Sequence, residues 1–509
     1  MLSCSVCRKR KKKCDFNLPS CKNCEALGTV CLFYDEGLGK TVSRRYLKSL
    51  DDRVKELKHE IKIYESKILQ RKVQDSETSH DSRLNDTVKT PLKSGCFVEG
   101  KSDTYYFGPG SIVSLIYSAA KLLNLDYDPN RFQYTIGDIS LPQLKVPFDL
   151  MNISSDHIRL LIENYLSSIY PSFPLLSENF FHFEVTIRNY PAYEQLFVLL
   201  IFLISATNLM RKQSDFVYIK IMLHQKVIEL MKVKVAEADG DTLLALVYYS
   251  IYESMDPESN PPLWKTLSLA CGLAEKLRLS DFCCKIPLTG KVCDQISRIS
   301  LFKTLYQLEI NVSMCLGRPP AIYLSRNQIL NLEIDDTESR LRLLELTSRI
   351  DLFRKVYGKD ARCPLNVVKP IVQDYQHEDL HCISFWSLLQ HGCTDCVIYL
   401  LDSNAMKASI NLINETNKKM KSSMPVCFWV ETFNITVSLL SIAVVLKFRP
   451  EALEDKVLEC HIMDALHLGR KLLVEYATLW NSAQPWLSFT ELVFENFKKT
   501  GEKTSSFYL

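Results

Sequence analysis

The spacing of apolar residues predicts a chain that is mostly α-helical. From about residue 112 to the C-terminus, apolar positions recur at the three- and four-residue steps of amphipathic helices. Strand patterns are scarce, and neither a hairpin signal nor a Rossmann or phosphate-loop glycine pattern is recognisable. The pattern therefore predicts a large all-α array, for example in two stacked helical layers.

Residues 47–68 carry a different pattern, in which apolar residues alternate at steps of three and four. They fall at heptad positions a and d, with mostly charged residues between them. This pattern predicts a short coiled coil, about 33 Å long at 1.5 Å per residue. The predicted dimerisation residues are Leu47, Leu50, Val54, Leu57, Ile61, Tyr64 and Ile68.

The charges that flank this heptad pattern bear on the choice of partner. In a parallel homodimer Arg53 would face Lys58, and Glu60 would face Glu65. Each like-charged pair costs roughly 0.2–0.5 kcal/mol, whereas each fully buried apolar side chain contributes about 1.5–3 kcal/mol. A homodimer is therefore expected, and a heterodimer stays open. The other interpretation is a single amphipathic helix that packs on the large domain.

Charge is distributed unevenly, although the net charge is only +3. Residues 1–72 hold 18 Lys and Arg against 9 Asp and Glu, so the rest of the chain is net acidic. This distribution favours a polyanionic partner for the N-terminus. The most apolar stretches, 196–206 and 435–446, have 11 and 12 residues. Because both are too short to cross a bilayer, we expect no membrane partner.

Six of the 18 cysteines lie in residues 4–31, as two halves with the spacing Cys-x2-Cys-x6-Cys. Each half offers three thiolates. Because zinc takes four ligands, two of the six sulfurs must be shared between two metals. The sequence therefore predicts two zinc ions per chain, and the predicted ligands are Cys4, Cys7, Cys14, Cys21, Cys24 and Cys31. The scattered positions of the other cysteines indicate a reducing compartment.

This arrangement resembles the fungal Zn2Cys6 (binuclear zinc cluster) transcription factor family. Asp15 directly after Cys14, and Pro19 two residues before Cys21, add to the resemblance. The resemblance implies that Cys4 and Cys21 bridge the two metals. It also implies that a short helix in the first half inserts its N-terminal end into the major groove of double-stranded DNA.

A basic run, 8–13, lies between the second and third cysteines. The resemblance implies that Arg10 and Lys11 read bases, usually in CGG-like triplets. Both residue types can donate to the O6 and N7 atoms of guanine. The other predicted DNA-binding residues are expected mostly on phosphates, and they are Arg8, Lys9, Lys12, Lys13 and Lys22.

The later sequence resembles the middle homology region of the same family, over about 148–340. The similar blocks are 170–176, 264–280 and 301–322, preceded by a tyrosine/glycine stretch at 105–111. Ser268, Lys303 and Glu309 depart from the residues usual in that family. Gly317 is expected to end a helix, because glycine is favoured there and the following prolines prevent continuation.

These patterns together divide the chain into five regions. They are a DNA-binding domain at 1–34, a linker at 35–46, a coiled-coil helix at 47–71, a flexible linker at 72–104, and an all-α regulatory domain at 105–509.

The resemblance implies a zinc-dependent, sequence-specific regulator of RNA polymerase II transcription in the nucleus. Its expected partners are double-stranded DNA, transcription co-regulators and a small-molecule effector. The alternative is an adaptor that binds nucleic acid or chromatin without sequence preference. No enzyme is predicted, because no catalytic constellation stands out. Further histidines and cysteines indicate either a second metal site or buried thiols in an apolar helix, and they are His381, Cys382, His391, Cys393 and Cys396.

Overall fold

The computed structural model divides the chain into two compact units, Met1–Ser82 and Arg83–Leu509. The boundary falls inside the stretch 72–104 that the sequence predicts as a linker. The described residues are 3–35, 40–49, 51–55, 58, 96–99, 104–125, 127, 153–181, 192–256, 263–281, 290–293, 296–331, 337–357, 405–449 and 456–500.

The first unit is small and has sulfur at its centre. Its elements are helices α1 (Ser5–Lys9) and α2 (Lys22–Glu25), strands β1 (Leu32–Asp35) and β2 (Lys40–Ser43), and helical residues 44–49 and 51–55. Its buried core cluster consists of the six cysteines, with Val6 packed against it. A core this small cannot stabilise a fold by apolar burial alone, so the unit depends on what the sulfurs bind.

The second unit is built from helices that share one continuous apolar core. They are α3 (Ile112–Leu122), α4 (Ser155–Asn164), α5 (Ala192–Leu209), α6 (Asp215–Lys234), α7 (Gly240–Met255), α8 (Leu263–Lys276), α9 (Arg298–Leu316), α10 (Arg326–Leu330), α11 (Thr337–Tyr357), α12 (Ala405–Lys421), α13 (Phe428–Phe448), α14 (Lys456–Leu479) and α15 (Gln484–Thr500). A π-helical turn, Tyr165–Ile169, extends α4, and short 3-10 turns lie at Glu178–Phe180 and Asn481–Ala483. The prediction of a mostly α fold is confirmed.

Two helices lie at the centre of this unit. Every residue of α7 is buried, and α7 packs against α5, α8 and α9. Helix α13 packs against α3, α9, α12, α14 and α15. By length and composition α13 could cross a membrane, but 94% of its most apolar window is buried inside the domain. Packing in a protein core therefore accounts for its apolar sequence.

Polar side chains mark where several helices begin. The side chains of Ser111, Ser154 and Asp239 each accept a hydrogen bond from a backbone N–H in the first turn of α3, α4 and α7. Ser325 and Gln328 form a complete capping box at α10. Such caps satisfy backbone donors that have no partner within the helix.

Residues 104–111 pack on the end of α9. Gly317 adopts a left-handed conformation with φ of 63° and ends the helix, which confirms that prediction. The backbone N–H of Gly108 donates to the Leu316 carbonyl oxygen at 2.8 Å. The Arg318 side chain donates from Nε to the Tyr106 carbonyl oxygen, also at 2.8 Å. Strand β4 (Thr104–Phe107) is thereby joined to the end of α9.

The described residues include two antiparallel strand pairs, although the sequence gives no hairpin signal. Strands β1 and β2 pair antiparallel, with Leu32 opposite Ser43, inside a stretch predicted mostly as a linker. Strand β3 (Cys96–Glu99) pairs antiparallel with β4. Each of these strands has only four residues, too few alternations for a period-two pattern to be recognised.

The predicted coiled coil falls only partly on described residues. Leu47 and Val54 lie in the helical residues that follow β2, where Leu47 is half-buried and Val54 is 48% exposed. Dimerisation through this helix stays a prediction. The predicted dimerisation residues outside the described ranges are Leu50, Leu57, Ile61, Tyr64 and Ile68. The residues of the alternative second metal site also lie outside them, and they are His381, Cys382, His391, Cys393 and Cys396.

Candidate metal centre and nucleic-acid interface

The six N-terminal cysteines converge on one buried cage. Two sets of four sulfurs each lie within 4.8 Å of one another, and they are Cys4, Cys7, Cys14 and Cys21, and Cys4, Cys21, Cys24 and Cys31. Cys4 and Cys21 belong to both sets, as the resemblance implies for bridging ligands. The sulfur of Cys4 lies 3.8 Å from that of Cys21 and 3.5 Å from that of Cys24.

These distances fit zinc. Tetrahedral coordination with Zn–S bonds of about 2.3 Å separates neighbouring sulfurs by about 3.8 Å. Burial raises the pKa of the Cys24 and Cys31 thiols, so protons alone would leave these sulfurs neutral. A bound dication replaces those protons and stabilises the thiolates. The donor set, its sharing and its spacing therefore suit two zinc ions.

The two halves of the cage repeat the same local fold. The backbone N–H of Lys12 donates to the Cys7 carbonyl oxygen at 3.0 Å, and that of Thr29 donates to the Cys24 carbonyl oxygen at 3.0 Å. Each half thus starts with a short helix, and the chain after that helix is hydrogen-bonded to the carbonyl oxygen of the second cysteine.

The left-handed residue in each half is different. Lys11 has φ of 50°, and Gly28, at the equivalent position of the second half, has φ of 59°. Glycine adopts this conformation at little cost, whereas lysine is strained by the clash of its Cβ. The backbone does not require a lysine at this position. A role of the Lys11 side chain, rather than a need of the backbone, therefore accounts for lysine at this position.

All seven predicted DNA-binding cations are exposed, and six of them belong to the first half. Arg10 is the C-terminal cap of α1, and Lys11 follows it. Both residues lie beyond the C-terminal end of this helix, whereas the resemblance places its N-terminal end in the major groove, so the end that enters the groove stays a prediction. Cations at a helix C-terminus also interact favourably with its dipole.

Two family comparisons agree with this geometry. Residues 2–41 match the fungal Zn(2)-Cys(6) binuclear cluster domain, and residues 162–354 match the fungal specific transcription factor domain. The chain therefore contains a Zn2Cys6 binuclear cluster domain and a fungal specific transcription factor domain. The second match overlaps the middle homology region that the sequence predicts at about 148–340.

Individual relatives of this Zn2Cys6 protein match over short stretches. The regulatory protein CAT8 of Saccharomyces cerevisiae is 35% identical over 18% of this chain and 7% of its own length. An uncharacterised transcriptional regulatory protein of Schizosaccharomyces pombe is 27% identical over 35% of this chain and 27% of its own length. The TY1 enhancer activator of S. cerevisiae is 41% identical over 13% of this chain and 9% of its own length. No solved structure matches.

Asn23 is a residue of the Zn2Cys6 unit that sequence reasoning missed. Its Nδ2 atom donates to the Cys7 sulfur at 3.4 Å and to the Lys13 carbonyl oxygen at 2.9 Å. It thereby ties the basic run of the first half to helix α2 of the second. A polar residue inside a Cys-x2-Cys pair is a weak signal, because only the fold shows which sulfur it faces.

The Zn2Cys6 protein also has a buried ionisable cluster between α6 and α7. Lys220 pairs with Asp256, which accepts a hydrogen bond from the Tyr252 hydroxyl at 2.9 Å. His224 Nε2 lies 3.1 Å from the Tyr249 hydroxyl oxygen. Burial lowers the pKa of His224 to about 4, although nearby Asp256 opposes that shift. His224 is therefore neutral at physiological pH.

Proposed function

We propose that this protein is a nuclear transcription regulator that binds double-stranded DNA sequence-specifically through its zinc cluster. The observation that carries the proposal is the exposed basic run on the first half of a sulfur cage built for two metals. Six cations lie at 8–13, whereas the matching stretch of the second half, 25–30, has none. This asymmetry gives the cluster one side on which it can meet a polyanion.

Arg10 and Lys11 are the residues we assign to base recognition. They follow α1 side by side, and both side-chain types can donate to the guanine acceptors of a CGG-like triplet. The remaining exposed cations would contact phosphates, which position the cluster without specifying a sequence. The name of the matched Schizosaccharomyces pombe relative, a transcriptional regulatory protein, supports a role in transcription.

The apolar heptad at 47–68 supports a dimer on DNA. Two clusters joined by a coiled coil would read two half-sites, whose separation depends on the chain between cluster and helix. A homodimer is the expected assembly, and a heterodimer would relieve the like-charged pairs at the flanking positions.

A cavity of about 210 Å³ supports a small-molecule effector. It lies where Arg211, just after α5, meets α12 and α14, and its wall includes Lys421, Lys471 and Glu475. Cations exceed carboxylates in this wall, so a small organic anion is the class of effector we expect. The test is thermal unfolding of the full-length protein at increasing citrate concentrations. Citrate should raise the unfolding temperature of the wild type and not that of a Lys421→Ala/Lys471→Ala variant.

The DNA-binding proposal is tested by binding-site selection with the full-length protein. We expect an enriched triplet rich in G and C. Arg10→Ala should relax the base preference and weaken binding by about 1–3 kcal/mol, whereas Lys13→Ala should lower affinity evenly across sequences. Absence of any enriched sequence would favour the alternative of a non-specific nucleic-acid or chromatin adaptor.

A further inference from the structure

Arg44 is a charged residue that the first unit buries almost completely. Its exposed fraction is 2%, and it is among the largest fully buried side chains of the described residues. It is the first helical residue after β2, whereas its neighbour Arg45 is exposed. Burying a guanidinium is costly unless its donors find partners, so Arg44 must make contacts that outweigh this cost.

The contacts of Arg44 connect the helix to the loop that joins the two halves of the sulfur cage. Its Nη1 atom donates to the Asn17 carbonyl oxygen at 3.3 Å. Its guanidinium lies over the ring of Phe16, with the central carbon 5.4 Å from the ring centroid. Both partners belong to the loop between Cys14 and Cys21, which joins the two halves of the cage. The side chain therefore spans from the start of the helix to this connecting loop.

The backbone at Arg44 is held as well. Its N–H donates to the carbonyl oxygen of Cys31, the last predicted zinc ligand, at 2.9 Å. The β1–β2 pairing brings the chain back to this point, since Ser43 lies opposite Leu32. Main chain and side chain thus hold the first helical turn at two different places on the cage.

From this geometry we infer that Arg44 is a positioning residue that fixes the direction in which the helix leaves the zinc cluster. In a dimer this direction determines which spacing and orientation of two DNA half-sites both clusters can reach together. Arg44 then contributes to DNA specificity without touching a base. The inference rests on the proposed DNA-binding function and on dimerisation through the helix.

Movement of the helix away from the cage breaks both contacts of the Arg44 side chain together. A helix that swings away from this position must expose the guanidinium and give up both the Phe16 ring and the Asn17 carbonyl oxygen. Loss of a cation–π contact and of a hydrogen bond from a charged donor corresponds to roughly a tenfold or larger change in the ratio of held to released helix.

The test compares Arg44→Ala with Arg45→Ala in the full-length protein. The two changes remove the same charge from adjacent positions, one buried and one exposed. Hydrogen–deuterium exchange should be faster at residues 44–55 in Arg44→Ala and unchanged in Arg45→Ala. Native mass spectrometry should still find two zinc ions in both variants.

DNA binding is then measured on duplexes that carry one triplet, or two triplets at a graded series of spacings and orientations. Arg44→Ala should bind the single triplet like the wild type but lose about tenfold in preference for the best spacing. Arg45→Ala should keep the wild-type preference and lower affinity at every spacing alike. If Arg44→Ala kept both its exchange protection and its spacing preference, the inference would be wrong.

A second variant separates positioning from folding. Phe16→Asn removes the stacked ring but suits the left-handed backbone at this position, where φ is 58°. It should widen the spacing preference while both zinc ions stay bound. A wild-type protein that selects a triplet but ignores spacing would overturn the inference and leave the proposed function intact. A wild-type protein that selects no sequence would instead overturn the proposed function.

Discussion

Gly108 and Gly317 approach each other backbone to backbone, although they lie far apart in the sequence. A Cβ atom added to Gly108 would lie 1.7 Å from the carbonyl oxygen of Gly317. One glycine precedes α3 and the other ends α9, so the approach joins the beginning of the helical unit to its middle. Both glycines belong to stretches that resemble the Zn2Cys6 family, and their contact gives a physical reason for each.

Gly108→Ala should destabilise the helical unit by about 1–3 kcal/mol, because an inserted methyl group must displace backbone rather than a flexible side chain. Urea unfolding followed by tryptophan fluorescence measures this, since all five tryptophans lie in that unit. Gly272→Ala is the control, because a Cβ there meets nothing within 4 Å. It should be neutral, or stabilising by about 0.5–1 kcal/mol. Equal midpoints for the two variants would contradict the steric argument.

Substitutions of single cysteines should have unequal effects on zinc content. Cys4→Ser removes a sulfur common to both sets of four, so we expect both ions to be lost. Cys31→Ser leaves one set complete, and one ion should remain. Cys460→Ser changes an exposed thiol and should leave two ions bound. Native mass spectrometry counts the ions, and identical losses in the Cys4 and Cys31 variants would show that Cys4 is not shared.

Lys11→Gly should separate folding from DNA recognition. Glycine relieves the strain of the left-handed conformation, so zinc content and stability should be unchanged or slightly improved. Affinity for the selected triplet should fall by about 1–3 kcal/mol, with the loss concentrated at one base position. Titration of wild type and variant against matched and single-mismatch duplexes measures both effects. A loss shared equally by all duplexes would assign Lys11 to phosphates instead.

Acid should destabilise the helical unit partly through His224. Its pKa is about 4 in the folded protein, against an ordinary value near 6.5. Between these values the unfolded chain binds a proton that the folded chain does not, so stability falls as pH falls. From pH 7 to pH 5 this group alone should remove about 2 kcal/mol, at 1.36 kcal/mol per pKa unit.

The measurement must isolate His224 from other buried groups. Burial raises the pKa of Glu253, which acts in the opposite direction as pH falls. The unfolding free energy is therefore measured at pH 7 and pH 5 for the wild type and for His224→Gln. The contribution of His224 is the loss in the wild type minus the loss in the variant. His467→Gln, at an exposed position, should behave like the wild type. A His224→Gln variant that lost as much stability as the wild type would refute the assignment.

The sequence was sufficient for the features that depend on residue type and regular spacing. Three thiolates in each half require shared sulfurs, and the structure places Cys4 and Cys21 in both sets. Helical periodicity predicts the helical unit because each amphipathic helix leaves an apolar face to bury. Gly317 could be read as a helix end because the following prolines exclude continuation.

Features that depend on long-range contacts could not be predicted. Arg44 looks like any other linker cation in the sequence, and only the fold brings it to Asn17 and Phe16. The burial of His224 depends in the same way on its packing against α7. The four-residue strands were missed because their pairing, rather than their pattern, defines them.

The burial of α13 has a consequence for how this protein is made. Its cover comes partly from α14 and α15, which the ribosome synthesises after it. A nascent chain therefore shows, for a time, a 21-residue apolar segment with the length of a membrane span. Chaperones bind exposed segments of this kind. The segment can be fully covered only after α14 and α15 have been made.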